Sequence, residues 1–170
     1  VKLSRDMEKH ILETKKKLFP IGEKILGVYY RGTDYIQLKP IAHPVQPSRE
    51  EMTKCIQKCF EKQKYNKIFV ATEERETISF FQEKFPGMVI TAQEHFAENY
   101  SLDISGQLIG DYMMKQCESK YVLGMEYLTN IVLLASCDSF VGAMGGGSIA
   151  ALILNNRKYR NCQIINLGLY

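Results

Sequence analysis

Short apolar segments alternate along this chain with longer amphipathic ones. The apolar segments have the length of β-strands and are rich in β-branched residues; they lie at 25–30, 67–71, 88–91, around 140–142 and at 163–167. Most of them are apolar at consecutive positions, which is typical of strands buried on both faces of a parallel sheet. The pattern therefore predicts an α/β fold in which helices cover both faces of the sheet.

The amphipathic segments carry signals for the starts of helices. They predict helices over 4–18, from residue 48 onward, and over 74–84, 107–119, 124–136 and 148–155. Ser4 is a candidate N-cap of the first helix, and Ser48 with Glu51 fits a capping box at the start of the second. Right-handed crossovers through these helices predict a doubly wound, Rossmann-like parallel sheet of order 3-2-1-4-5, formed by a single domain over residues 1–170.

This strand order also predicts where a ligand binds. In a doubly wound sheet the binding crevice lies beyond the carboxyl ends of the strands, at the point between strands 1 and 4 where the order reverses. The segments that follow these two strands contain Arg31, Asp34, Gly145, Gly146, Gly147 and Ser148. We call residues 145–147 the glycine turn.

The chemistry of these two segments suits a phosphate group. Consecutive glycines let backbone N–H groups approach an anion closely, and Ser148 is predicted to cap the helix that begins there. Arg31 offers a planar fork of donors that matches phosphate oxygens, and Asp34 is predicted either to hold Arg31 or to bind a ribose or substrate hydroxyl. Either segment alone also fits an ordinary turn, but their expected meeting at one crevice favours a phosphate site.

Composition and missing motifs exclude several classes of function. The 170 residues carry 22 basic and 19 acidic side chains, and the net charge of +3 is too small to indicate bulk binding to nucleic acid or to an anionic membrane. No apolar run approaches the ~20 residues of a transmembrane helix. The sequence contains neither the dinucleotide-binding GxGxxG after its first strand nor a P-loop.

The cysteines and histidines give no sign of a metal centre. Five cysteines and three histidines are scattered along the chain without the spacing of metal ligands. This pattern indicates free thiols in a reduced compartment, and so a cytoplasmic location, with no metal or other cofactor.

Three stretches of the sequence resemble the fucosyltransferase superfamily that includes the α1,6- and protein O-fucosyltransferases. They are GVYYRGTDY, IFVATEERETISFFQEKFPGMVIT and LTNIVLLASCDSFVGAMGGGSIAALIL. Arg31 and Asp34 fall on the Arg and Asp of the family's His-x-Arg-x-x-Asp motif, and Glu73 and Glu74 fall on its acidic turn after the second strand. The resemblance implies the donor-binding half of a GT-B enzyme, with an acceptor domain expected N-terminal to this chain, which alone would be inactive.

The resemblance also implies an activity and a role for each residue. The activity is the inverting, metal-independent transfer of fucose from GDP-fucose to a glycan acceptor. Arg31, with Asp34, would act on the donor β-phosphate as fucose departs, and the glycine turn and Ser148 would share that phosphate. Tyr29 stands where the motif has a nucleotide-binding His, and Asn130 near an Asp that recognises guanine. Lys39 occupies the position of the acceptor glutamate.

Two other functions remain open at the level of the sequence. One is a GT-B domain that uses another sugar nucleotide, given Tyr29 and Asn130. The other is a nucleotide- or phosphate-binding module without transferase activity. Glu73 and Glu74 are open to two interpretations as well, because acidic residues are favoured in the first turn of a helix but also bind ribose or a base.

Overall fold

The structure is a computed structural model that describes residues 3–98, 100 and 107–170, with the side chain of Thr33 excepted. Its helices and strands follow each other as α1 (Arg5–Leu18), β1 (Ile25–Tyr29), α2 (Thr33–Leu38), α3 (Arg49–Lys62), β2 (Lys67–Ala71), α4 (Arg75–Lys84), β3 (Val89–Ile90), α5 (Ile109–Gln116), α6 (Lys120–Ala135), β4 (Ser139–Ala143), α7 (Gly146–Asn155) and β5 (Cys162–Ile165). The five strands form one sheet of order β3-β2-β1-β4-β5, and all four strand pairs are parallel. The predicted α/β fold class and strand order are confirmed.

The sheet separates two apolar cores, and alternate residues of one strand contribute to opposite cores. Leu26 and Val28 of β1 pack in the core beneath α3 and α4, whereas Ile25 packs with Phe69 and Phe140 beneath α6 and α7. All five side chains are at most 3% exposed. Fully burying an aliphatic or aromatic side chain of this size stabilises a fold by about 1.5–3 kcal/mol, so these strands anchor the sheet.

Local hydrogen bonds fix the starts of the first helices as the sequence predicts. The Ser4 hydroxyl accepts a hydrogen bond from the Met7 backbone N–H at 3.3 Å. Ser48 and Glu51 form the complete capping box, with distances of 3.1 and 2.8 Å between the paired atoms. These caps stabilise a helix by about 1 kcal/mol each and need only residues close in sequence.

Other boundaries differ from the predictions. The short helix α2 occupies 33–38, where only a turn was expected, and the third strand has two residues rather than four. The helix predicted over 124–136 begins earlier, at Lys120, because the Ser119 hydroxyl accepts the Val122 N–H. None of the helices within the described ranges is long and apolar enough to cross a membrane.

Candidate functional site

The carboxyl ends of β1 and β4 lie side by side and open into a cavity of about 430 Å³, which we call the switch-point cavity. Tyr29 at the end of β1 is paired with Gly142 of β4, so the segments that leave these strands diverge around the opening. The cavity is lined by Tyr29, Arg31, Tyr35, His43, Pro44, Gln46, Glu73, Tyr127, Met144, Gly145, Gly146, Gly147 and Ile149. The structure thus places Arg31 and all three residues of the glycine turn on one cavity.

Arg31 is held by contacts on three sides. Its Nη1 donates to the Glu73 carboxylate, its Nη2 lies 3.5 Å from Asp34 Oδ2, and its guanidinium lies 4.9 Å from the centre of the Tyr35 ring. Burial lowers the pKa of Arg31, but the charges of Glu73 and Asp34 raise it above its ordinary value. The guanidinium is therefore a permanent, oriented cation at the edge of the cavity.

Asp34 lies behind Arg31 and is fully buried. Its Oδ2 accepts the backbone N–H of Ile109 at 2.9 Å, and its Oδ1 accepts that of Tyr35 at 2.8 Å. The carboxylate thereby ties the start of α5 to the start of α2 while it holds Arg31. Of the two sequence-based interpretations, this geometry favours the first, in which Asp34 positions Arg31; a role in binding or catalysis stays a prediction.

The Glu73 side chain reaches the site from just beyond the end of β2. The sequence alone left its role open. Its carboxylate bonds to Arg31, 42 residues away along the chain, and its side chain is 27% exposed. Burial raises the pKa of Glu73, the Arg31 cation lowers it, and Asp34 raises it again, so that it lies above its ordinary value. Its neighbour Glu74 points elsewhere, into contacts with Arg49 and Thr77.

The glycine turn begins helix α7 without a side-chain cap. Gly145 is the N-cap and has an extended backbone, at φ 166° and ψ 170°. The predicted capping by Ser148 is wrong: its hydroxyl is buried and donates to the Ala143 carbonyl at 2.6 Å. The turn is so tight that the serine lies inside the helix, where its hydroxyl reaches the end of β4. The first-turn N–H groups of α7 have no intrahelical partner, as at every helix start.

Tyr29 lies directly against this turn. A Cβ atom added to Gly147 would lie 2.4 Å from Cζ of the tyrosine ring, a distance that no packed side chain tolerates. Gly147 is therefore required by the close approach of Tyr29, whereas a Cβ on Gly145 or Gly146 would meet nothing within 4 Å. Burial, together with the nearby Glu73 charge, raises the pKa of Tyr29, so the hydroxyl stays protonated.

Asn130 lies close by but is not on the switch-point cavity. It is 4% exposed and lines a separate space of about 20 Å³, which has room for a water molecule but not for a purine. Its amide donates to Gln93 Oε1 at 2.6 Å, while its own Oδ1 has no hydrogen-bond partner among the described residues. In this arrangement Gln93 and Tyr127 stand between Asn130 and the larger neighbouring cavities.

One of those neighbouring cavities has about 390 Å³ and shares Glu73 and Tyr127 with the switch-point cavity. It is also lined by Gln93, by Met113 and Met114, and by other residues of α5 and α6. The two cavities meet around the half-exposed Tyr127 ring.

The sequence left the role of Glu73 open and did not single out Gln93 as a site residue. Glu73 lies two residues beyond the end of β2 and Gln93 three residues beyond the end of β3, and all strands of the sheet are parallel, so both residues lie at the same edge of the sheet as the end of β1. The position of Glu73 after a buried strand was a usable signal. Lys39, by contrast, is exposed at the end of α2 and does not line the cavity with Arg31.

The described residues offer no grouping of three or more His, Cys, Asp or Glu side chains that fits a metal ion. All five cysteines are unpaired thiols. Burial raises the pKa of the Cys137 thiol well above its ordinary value, which is typical of an inert packing residue.

Comparison with known proteins gives matches of structure only. No protein-family model matches the chain, and no curated protein matches it significantly. NodZ α1,6-fucosyltransferase, in a crystal soaked with GDP-fucose, superimposes with a TM-score of 0.58 at 17% identity, over 90% of this chain and 43% of NodZ. POFUT1 in complex with GDP-fucose superimposes with a TM-score of 0.60 at 12% identity, over 99% of this chain and 48% of POFUT1.

This chain has a fucosyltransferase-like fold. A second NodZ structure, from Bradyrhizobium, matches with a TM-score of 0.52 at 17% identity, over 82% of this chain and 38% of that one. At such low identities the similarity shows the fold and no more. The chain spans less than half the length of the fucosyltransferases that it matches.

Proposed function

We propose that this chain is the donor-binding half of an inverting glycosyltransferase that transfers fucose from GDP-fucose to a glycan acceptor. One observation carries the proposal: Arg31 and the glycine turn line the same cavity at the switch point of a fucosyltransferase-like fold. NodZ and POFUT1, which share this fold, were crystallised with GDP or GDP-fucose.

The geometry supports a mechanism based on charge neutralisation. When the bond between fucose and the β-phosphate breaks, negative charge grows on the phosphate oxygens. Arg31 supplies a fixed cation there, and the first-turn N–H groups of α7 supply the positive end of a helix. Asp34 keeps Arg31 in place through its contact at 3.5 Å. In the proposed reaction Arg31 and the start of α7 stabilise the departing diphosphate in place of a divalent cation, so the reaction needs no metal.

Inversion requires that the acceptor hydroxyl attack the sugar from the side opposite to the departing diphosphate. The position of the acceptor glutamate holds Lys39 instead of a carboxylate, and Lys39 is exposed and is not among the residues that line the cavity. We therefore assign the acceptor site and its base to a second domain, N-terminal to this chain. The same observation favours a second candidate, a sugar-nucleotide-binding module without transferase activity.

Calorimetric titration with GDP, UDP and ADP, in EDTA and in Mg²⁺, tests the proposal. Because NodZ and POFUT1 were crystallised with GDP or GDP-fucose, we expect GDP to bind best, by about 1–3 kcal/mol over the other two, and EDTA to leave its affinity unchanged. Tighter binding of UDP, or a strict requirement for a divalent cation, would contradict the assignment to GDP-fucose. Transfer of fucose by the full-length gene product separates the enzyme from the binding module.

A further inference from the structure

The switch-point cavity has an unusual charge for a site that binds a diphosphate. Of the described residues that line it, Arg31 is the one with a permanent positive charge. Two carboxylates, those of Asp34 and Glu73, already contact this guanidinium. The three groups together carry a net charge of about −1 when both acids are ionised, so an entering anion meets repulsion unless one acid changes its state.

The two carboxylates differ in how easily each can leave Arg31. Asp34 is fully buried, and its oxygens accept backbone N–H groups from Tyr35 and Ile109. Displacing it would break the start of α5. Glu73 is 27% exposed and lines the cavity itself, and among the described residues its carboxylate has one hydrogen-bond partner, Arg31. Glu73 is therefore the group that a diphosphate can displace.

We propose that Glu73 is an internal counter-ion of Arg31, which a diphosphate displaces, and that Glu73 takes up a proton from solvent when it is displaced. The inference rests on the proposed function, since it names the residue that controls the charge of that donor site. Once the diphosphate occupies Arg31, an ionised Glu73 would face the phosphate oxygens without a cation. A neutral carboxyl group instead offers an O–H donor to those oxygens.

The direction of the proton exchange follows from the surroundings of Glu73. Burial already raises its pKa in the free protein, Arg31 opposes this, and Asp34 adds to it. Binding of an anion removes the favourable contact with Arg31 and adds negative charge, so the pKa of Glu73 rises further. At a pH between the pKa of Glu73 in the free protein and its higher pKa in the complex, Glu73 takes up as much as one proton for each ligand that binds. Affinity therefore increases as the pH falls through this window, by at most about tenfold per pH unit.

Other titratable groups face Glu73, and their effects on the pH dependence of binding must be distinguished from that of Glu73. Tyr29 and Tyr127 stay protonated, because burial raises the pKa of both hydroxyls. The charge of the adjoining Glu74 also raises the pKa of Glu73, but the Glu74 carboxylate contacts Arg49 and Thr77 and does not line the switch-point cavity. Across the neighbouring cavity stand Asp111 and Lys120, whose opposite charges offset each other.

His43 is the competing source of the same pH dependence. It lines the switch-point cavity, and its Nδ1 lies 3.0 Å from the Ile41 carbonyl oxygen. Protonation of this imidazole would also strengthen anion binding as the pH falls. An experiment must therefore compare variants of both residues.

The test is calorimetric titration of the chain with GDP-fucose, between pH 5.5 and 8 and in buffers of different ionisation enthalpy, which gives the number of protons exchanged. GDP-fucose is the suitable probe because both of its phosphates are esterified, whereas the terminal phosphate of GDP titrates itself at about pH 6. We expect uptake that approaches one proton in the wild type. In Glu73→Gln, uptake should disappear, and affinity at the upper end of the pH range should rise by about tenfold or more.

Two control variants make the result specific. Glu76→Gln removes the same charge from a side chain that is 88% exposed and contacts Arg49 rather than Arg31, so it should change neither uptake nor affinity by more than about twofold. His43→Gln should retain the uptake. Uptake that persists in Glu73→Gln and vanishes in His43→Gln overturns the inference, and so does binding of GDP-fucose without uptake in the wild type. Absence of binding in wild type and in Glu73→Gln at every pH overturns the proposed function, and the inference with it.

Discussion

The two segments that meet at the switch-point cavity present different groups to an anion. After β1, the site consists of charged side chains that are buried and already paired, as Arg31 is with Asp34 and Glu73. After β4, it consists of backbone N–H groups, and a Cβ on Gly145 or Gly146 would meet nothing within 4 Å. The glycine turn after β4 can accept an anion without rearrangement, whereas Arg31 after β1 must first exchange one of its carboxylate partners for the anion.

If the chain binds a diphosphate as proposed, this difference makes the site both preorganised and selective. Arg31 keeps its orientation because Asp34 and the Tyr35 ring hold it, but its binding energy becomes available only to an anion that outcompetes Glu73. Among the described residues no carboxylate contacts the glycine turn in this way. A single weak anion should therefore bind at the glycine turn alone, and a diphosphate should engage both segments.

The largest expected effect, on the free energy of unfolding, comes from removing the buried Asp34 carboxylate that holds Arg31. Asp34→Ala leaves the Ile109 N–H without its acceptor and removes one of the two carboxylates that hold Arg31. Loss of one member of a buried pair costs about 3–5 kcal/mol of the free energy of unfolding. Urea denaturation measures it, and a loss below about 1 kcal/mol would show that Asp34 is not the support described here.

The next effect concerns the ligand rather than the fold. Arg31→Ala removes the cation that would pair with the diphosphate, so GDP affinity should fall at least tenfold, the equivalent of about 1.5–3 kcal/mol. Arg31→Lys should restore only part of it, because an ammonium group cannot form the bidentate pair. Calorimetry measures both variants. Equal GDP affinity in the wild type and in Arg31→Ala would remove Arg31 from the site.

A smaller effect is expected where the two segments touch. In Gly147→Ala the added methyl group would overlap the Tyr29 ring, so the ring or the start of α7 must move. Overpacking of this kind costs about 1–3 kcal/mol, measured as a shift of the urea midpoint. If the cost arises from this contact, Gly147→Ala should destabilise the Tyr29→Ala variant less than it destabilises the wild type.

The smallest effect belongs to the open part of the glycine turn. Gly146→Ala places a methyl group where, apart from the adjoining backbone of the same helix, no atom of the described residues lies within 4 Å, so stability should change by less than about 0.5 kcal/mol. This variant is the matched control for Gly147→Ala. A large loss of stability in Gly146→Ala would mean that the backbone of the turn, and not the Tyr29 contact, sets the requirement for glycine.

The sequence by itself determined the sheet and the location of the site. Segments such as 67–71 are apolar at every position but the first, so they fit only the interior of a covered parallel sheet, and the crossover rules then leave one simple strand order. That order places Arg31 beside the glycine turn before any side chain is known. The caps at Ser4 and Ser48 were equally accessible, because each hydrogen bond joins residues three apart.

The tertiary structure alone decided which partner each side chain takes. Glu73 meets Arg31 because parallel pairing aligns the ends of β1 and β2, although 42 residues separate them. Ser148 bonds to Ala143 instead of capping α7, and Asn130 is enclosed behind Gln93, because the helices pack closely on the sheet. Hydrophobic patterns specify which face of an element is buried. They do not specify the angstrom-scale distances that select one hydrogen-bond partner over another, since those distances depend on how all the elements pack together.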